Sequence, residues 1–210
     1  MPENRLRSAA DDAVLIVIDM QKKLTPVMHE MHNLIHHVGV LVRGCAMLNI
    51  PVIFTQQYTN GLGETIETIR NAYMETALGA HENVKYAIDD QLMAPHGNVD
   101  FSYIEKTSFS AMDEPVFVSA FESLNRHEVI VCGIESHVCV LQTAQDFQSR
   151  GCTVRVAADA MSSRRAFDYE FACSRMVQEG ITVTTSEALL FDLMKNANHQ
   201  IFRQISALVR

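Results

Sequence analysis

Six consecutive apolar residues, Ala13-Val-Leu-Ile-Val-Ile18, stop abruptly at Asp19. An unbroken run this short is typical of a strand covered on both faces. A second run, Val129-Ile-Val-Cys-Gly133, has the same character. Between and after these runs the apolar residues change to helical spacing. Helices are expected at about 26–48, 114–125, 137–150, 167–178, 186–195 and 199–209. Further strands are expected at 51–56, 101–106, 153–157 and 181–184. Strands that alternate with helices build βαβ units. The predicted fold is therefore a three-layer α/β/α sandwich, with a central, mainly parallel six-stranded sheet. At 210 residues the chain suits one domain spanning 1–210.

In an open sheet of this kind, ligands bind beyond the carboxyl ends of the strands. That rule brings three reactive side chains to one edge. Asp19 ends the first strand, Lys106 ends the third, and Cys139 follows the fourth. Cys139 lies where strand gives way to helix, and a helix N-terminus favours a thiolate. Asp19 is suited to take the thiol proton, and Lys106 to hold the resulting anions by charge. Read singly, Asp19 is also a plausible turn residue and Glu105-Lys106 a plausible surface pair. Cys139 alone is equally a small buried apolar residue.

Four segments in order carry a resemblance. They are Ile18-Asp-Met-Gln21, Glu105-Lys-Thr-Ser-Phe-Ser110, Cys132-Gly-Ile-Glu-Ser-His-Val-Cys-Val140 and Ala158-Asp-Ala-Met-Ser-Ser-Arg164. Over about residues 12–193 the chain resembles the isochorismatase-like cysteine hydrolases. The resemblance implies a Rossmann-like fold and a triad of Asp19, Lys106 and Cys139. It implies a non-proline cis peptide at Ile134–Glu135 and an oxyanion hole from the backbone N–H groups of Glu135 and Cys139. It also implies attack of the thiolate on a small amide or carbamoyl compound, through a thioester. Isochorismatase-type vinyl-ether hydrolysis is the alternative; the family's true isochorismatases do not require this cysteine. A redox thiol would want a resolving partner, and Cys132 belongs inside the strand. A non-catalytic scaffold is the remaining alternative, and the intact Asp-Lys-Cys set argues against it. Candidate pocket residues are Gln21, Gln56, Tyr58, Phe109 and His137; which of Gln56, Gln57 and Tyr58 faces inward is left open.

Nicotinamidases of this family carry a metal-binding Asp-x-His after the second strand. Here that stretch reads Phe54-Thr-Gln-Gln-Tyr-Thr-Asn-Gly-Leu-Gly63, with neither aspartate nor histidine. No metal and no cofactor are expected. His29, His32, His36 and His37 cluster at helical spacing without a carboxylate motif, and read as a solvated face. The net charge of −8 argues against nucleic acid. No apolar run approaches the roughly 20 residues of a membrane span, and the N-terminus lacks a signal-peptide core. Five cysteines without a CxxC pair suit a reducing compartment, so the cytoplasm is expected.

The resemblance points to a dimer or larger homo-oligomer. Two contact surfaces are candidates. One is segment 64–78, with Ile66, Ile69, Tyr73 and Leu78 as an apolar stripe; a lid over the pocket is its other reading. The second is the last helix, where Ile201, Ile205, Leu208 and Val209 recur, although packing on its own domain is the favoured reading there. Light scattering at micromolar concentration is expected to give at least twice the 23.5 kDa of one chain; a monomer mass would remove the prediction.

Overall fold

A computed structural model describes residues 7–80 and 101–210, and within helix 67–80 the side chains as far as Thr76. Six parallel strands form one sheet in the order β3-β2-β1-β4-β5-β6. They are β1 (Ala13–Ile18), β2 (Val52–Gln57), β3 (Ile104–Lys106), β4 (Glu128–Ile134), β5 (Thr153–Ser162) and β6 (Thr182–Thr184). The order reverses between β1 and β4, which is where a doubly wound sheet opens a crevice. Every residue of β1 and β4 is buried, as their unbroken apolar runs demand.

Helices cover both faces. On one lie α1 (Met31–Met47), α3 (Glu67–Ala80), α7 (Ser186–Met194) and α8 (Phe202–Leu208), packed on Leu15, Val17, Ile130 and Phe54. On the other lie α4 (Pro115–Ser123), α5 (Leu141–Ser149) and α6 (Ala166–Gln178), packed on Val14, Ile16, Val129 and Val131. The alternation along β1 supplies both cores at once. Each fully buried aliphatic side chain contributes about 1.5–3 kcal/mol. A single turn, α2 (Thr59–Leu62), follows β2.

Three elements differ from the sequence expectation. The third strand is three residues, not six, because it pairs only with the end of β2 on the sheet edge. The fifth runs on to Ser162 through an irregularity opposite Val131 and Gly133, where five residues of β5 match two of β4. The third difference is in the use of α3. Its apolar stripe was assigned to an oligomer contact or a lid. Ile69 and Tyr73 are instead buried against the chain's own α1 side, with Tyr73 edge-on to Phe54 at 5.3 Å. Phe101 joins the same cluster, 4.8 Å from Phe54. The side chain of Leu78 lies outside the described residues. The last helix also packs at home, through the fully buried Ile205.

Gly133 is required where β4 meets β1. Its φ is +111°, and a Cβ there would lie 2.1 Å from the Ile18 carbonyl oxygen. Gly151 also has positive φ, +84°, but its missing Cβ would meet nothing within 4 Å. Gly151→Ala should cost about 1–2 kcal/mol, the left-handed penalty alone. Gly133→Ala should cost at least about 3 kcal/mol, strain and overpacking together. Urea denaturation of the two variants separates these outcomes; equal losses would contradict the steric account.

Candidate active site

The end of β1 turns into the left-handed region at Asp19, φ 49°, a conformation aspartate tolerates better than the β-branched residues before it. Its carboxylate is fully buried. One oxygen, Oδ1, accepts the Thr55 hydroxyl at 2.7 Å. The other, Oδ2, lies 2.7 Å from Lys106 Nζ. Lys106 reaches over the end of β2 from β3, and its side chain has no exposed surface. Its ammonium donates to Gln57 Oε1 at 2.6 Å and to the carbonyls of Ser108 and Phe109, both at 3.2 Å. Glu114, at the start of α4, fixes that loop by accepting the N–H groups of Thr107 and Ser108. Those bonds, Ser108 first, hold its carboxyl below the ordinary range.

Cys139 completes the cluster. It is 7% exposed, and its thiol is in hydrogen-bonding reach of both Asp19 and Lys106. The peptide Ile134–Glu135 before it is cis. Residues Ser136–Val140 form a π-helical turn that runs into α5. The Glu135 carbonyl accepts the N–H groups of Val138 and Val140, one on each side of Cys139. Glu135 itself is held by Arg164, whose backbone N–H and Nε both donate to Oε2 at 3.1 Å. The expected lowering of the thiol pKa by the helix terminus is reversed. Burial, then the negative field of Asp19, push the thiol up to about 12, and Lys106 pulls against them. Cys139 is the fourth residue of its helical turn, and burial there disfavours the charged thiolate.

Asp19, Lys106 and Cys139 thus come together; the candidate pocket residues divide. Gln21 is fully buried and braces the edge: its Nε2 donates to the carbonyls of Gln57 and Gly63, and its Oε1 accepts from Gln57 N–H. Gln56 points away from the triad and bonds to Thr65 and Thr59. Gln57 is the glutamine that faces it. Both amides are taken up by internal bonds, Gln21 to Gln57 and Gly63 and Gln56 to Thr65 and Thr59. Tyr58 is 57% exposed and its ring covers Gly61. Phe109 is 56% exposed and serves the site through its carbonyl. His137 is half-buried, with Nδ1 2.9 Å from Ser163 Oγ. Thr55 was missed, though alternation along β2 puts it on the face of Gln57. Among the described residues no three His, Cys, Asp or Glu side chains are placed to hold a metal ion. His37 turns instead to Ser186, Nδ1 to Oγ 3.1 Å.

The fold and this edge constellation define an isochorismatase-like α/β hydrolase scaffold. The isochorismatase domain model matches residues 13–188, and the chain belongs to that family. The isochorismatase domain-containing protein 2 of Danio rerio is 36% identical over 97% of this chain and 89% of its own. The solved MAR1 ribonuclease of Caenorhabditis elegans is 32% identical, with a TM-score of 0.79 over 97% of this chain and 92% of that one. The YcaC gene product of Escherichia coli, an octameric hydrolase of unknown specificity, is 21% identical and shares the fold, with a TM-score of 0.80 over 97% and 89%.

The raised thiol pKa has a consequence for stability. The folded chain holds this proton more tightly than the unfolded chain, whose thiol titrates near 9.0. The resulting contribution is full below pH 9 and is lost as pH climbs from 9 towards 12. Unfolding free energy measured in urea should therefore decline less steeply above pH 9 in Cys139→Ala than in the wild type. Parallel declines would contradict a buried neutral thiol.

Proposed function

We propose that the chain is a cysteine-dependent hydrolase that cleaves the C–N bond of a small amide or carbamoyl compound. The observation that supports this reading best is the buried Asp19–Lys106 pair at 2.7 Å, with the Cys139 thiol in reach of both members. Asp19 takes the thiol proton as the sulfur attacks the substrate carbonyl. The Lys106 ammonium compensates the negative charge, whether it sits on oxygen or sulfur. The N–H groups of Glu135 and Cys139 act as the oxyanion hole, a contribution of a few kcal/mol per donor. Asp19 then delivers the proton to the departing nitrogen, and ammonia or an amine leaves. Water, deprotonated by Asp19, hydrolyses the thioester and regenerates the thiol.

A neutral resting thiol fits this course. The proton required by the leaving nitrogen is already in the site, so attack and proton transfer are coupled. The name of the Caenorhabditis elegans relative raises cleavage of RNA. Two features count against a polynucleotide here: a net charge of −8 and a Cys139 residue that is only 7% exposed. No described helix is long and apolar enough to cross a membrane. All five cysteines are free, in keeping with a cytoplasmic setting. Self-association belongs to the same proposal. With α3 and α8 occupied at home, the candidate surface moves to α6, where Phe167 and Phe171 are exposed and stacked at 6.0 Å.

The test is ammonia release from a panel of small amides, carbamates and ureides. Cys139→Ala should fold, by circular dichroism, and lose at least about 10³-fold in turnover. Wild-type turnover in that variant would remove the cysteine mechanism.

A further inference from the structure

The cysteine-hydrolase reading makes a demand on Lys106 that the triad alone does not meet. When the thiol proton moves to Asp19, the anion beside the ammonium changes from carboxylate to thiolate. The total charge of the three groups is unchanged. The ammonium must therefore stay in place while its partner changes, and its charge must stay available to the new one. We propose that Gln57 is the positioning residue that does this, and that it does so because it is uncharged.

The geometry is specific. Besides Asp19, three oxygens take the ammonium N–H groups, and all three are neutral. The shortest contact, 2.6 Å, is to the Gln57 side chain. The orientation of that amide is set at its other end, where Nε2 donates to the Thr107 carbonyl at 2.7 Å. A flipped amide would turn its NH₂ towards the ammonium and lose both bonds. The Gln57 backbone is fixed as well. Gln21 accepts its N–H at 2.7 Å and donates to its carbonyl at 3.0 Å. The brace at Gln21 therefore acts on Lys106 through Gln57.

A carboxylate in the same place would pair with Lys106 permanently and cancel its pull on the sulfur. The charged groups around the thiol are few. Asp19 comes from β1 and Lys106 from β3, while Glu114 acts on Lys106 from the start of α4. His137, on the same turn as Cys139, is directed to Ser163. Adding one anion to this set should be felt strongly at the sulfur.

The experiment follows iodoacetamide alkylation of each cysteine by mass spectrometry from pH 6 to 11. It compares the wild type with Gln57→Glu and Gln57→Met, each also melted thermally. Gln57→Glu should slow Cys139 alkylation about ten-fold across this range, which lies wholly below the wild-type midpoint of about 12. Its melting temperature should fall only modestly, because the ion pair gained with Lys106 offsets the donor lost to the Thr107 carbonyl. Gln57→Met keeps the volume and the charge balance but loosens the ammonium, so its rate should lie between the other two. A Gln57→Glu alkylation rate equal to the wild type overturns the proposal. So does a Gln57→Met slowing as large as that of Gln57→Glu, which would make the hydrogen bond, not the neutrality, decisive. Should Gln57→Glu fail to fold, coincidence of wild type and Gln57→Met overturns it. Wild-type ammonia release by Cys139→Ala would instead sink the hydrolase reading, and this inference with it.

Discussion

A buried ion pair that spans three strands is the constraint around which this sheet edge is built. Asp19 leaves β1 and Lys106 leaves β3, so their contact passes over the end of β2. Removing two charges from water costs several kcal/mol per ion, and the mutual attraction offsets it only when the remaining hydrogen bonds are made. Here, among the described residues, Asp19 Oδ2 has only its ion pair with Lys106, and the other bonds are made by neighbours. Thr55 serves the carboxylate; Gln57, Ser108 and Phe109 serve the ammonium. Loss of one member would leave an uncompensated buried charge, typically worth 3–5 kcal/mol. Stability and chemistry are thus tied to the same atoms.

The fold was legible because its signal is gross. Apolar runs of five or six residues that alternate with helical spacing leave few architectures open, and the parallel sheet followed. The shortness of β3 was not legible. Phe101 and Tyr103 are apolar enough to extend a strand, but they pack against the helical layer on one face of the sheet, beyond the reach of β2. The length of β5 was hidden for the opposite reason: the strand signal stops at Ala157, yet an irregularity keeps Ala158-Asp159-Ala160 in the sheet.

At the site, the residues Asp19, Lys106 and Cys139 could be picked from strand ends and spacing. Their partners could not. Whether Gln56 or Gln57 faces Lys106 depends on register, which sequence alternation alone does not anchor in so short a strand. The sign of the Cys139 shift was lost because sequence shows the start of a helix but not the depth of its burial. The stripe of segment 64–78 has no partner visible in the sequence, which leaves an oligomer contact or a lid as its readings; α1 supplies one from a distance of some thirty residues.

Phe54 has a bearing on the chemistry although it never touches it. It sits on the far side of β2, between Tyr73 and Phe101. A slip of β2 by one residue would turn every side chain to the opposite face. Because residues 56 and 57 are both glutamine, such a slip would still offer Lys106 an amide. It would also put a phenyl ring where Asp19 needs the Thr55 hydroxyl, and strip the aromatic cluster of its centre. The glutamine pair by itself cannot detect a register error; the aromatic cluster behind the sheet can, and it acts as the proofreader of a polar site on the other side.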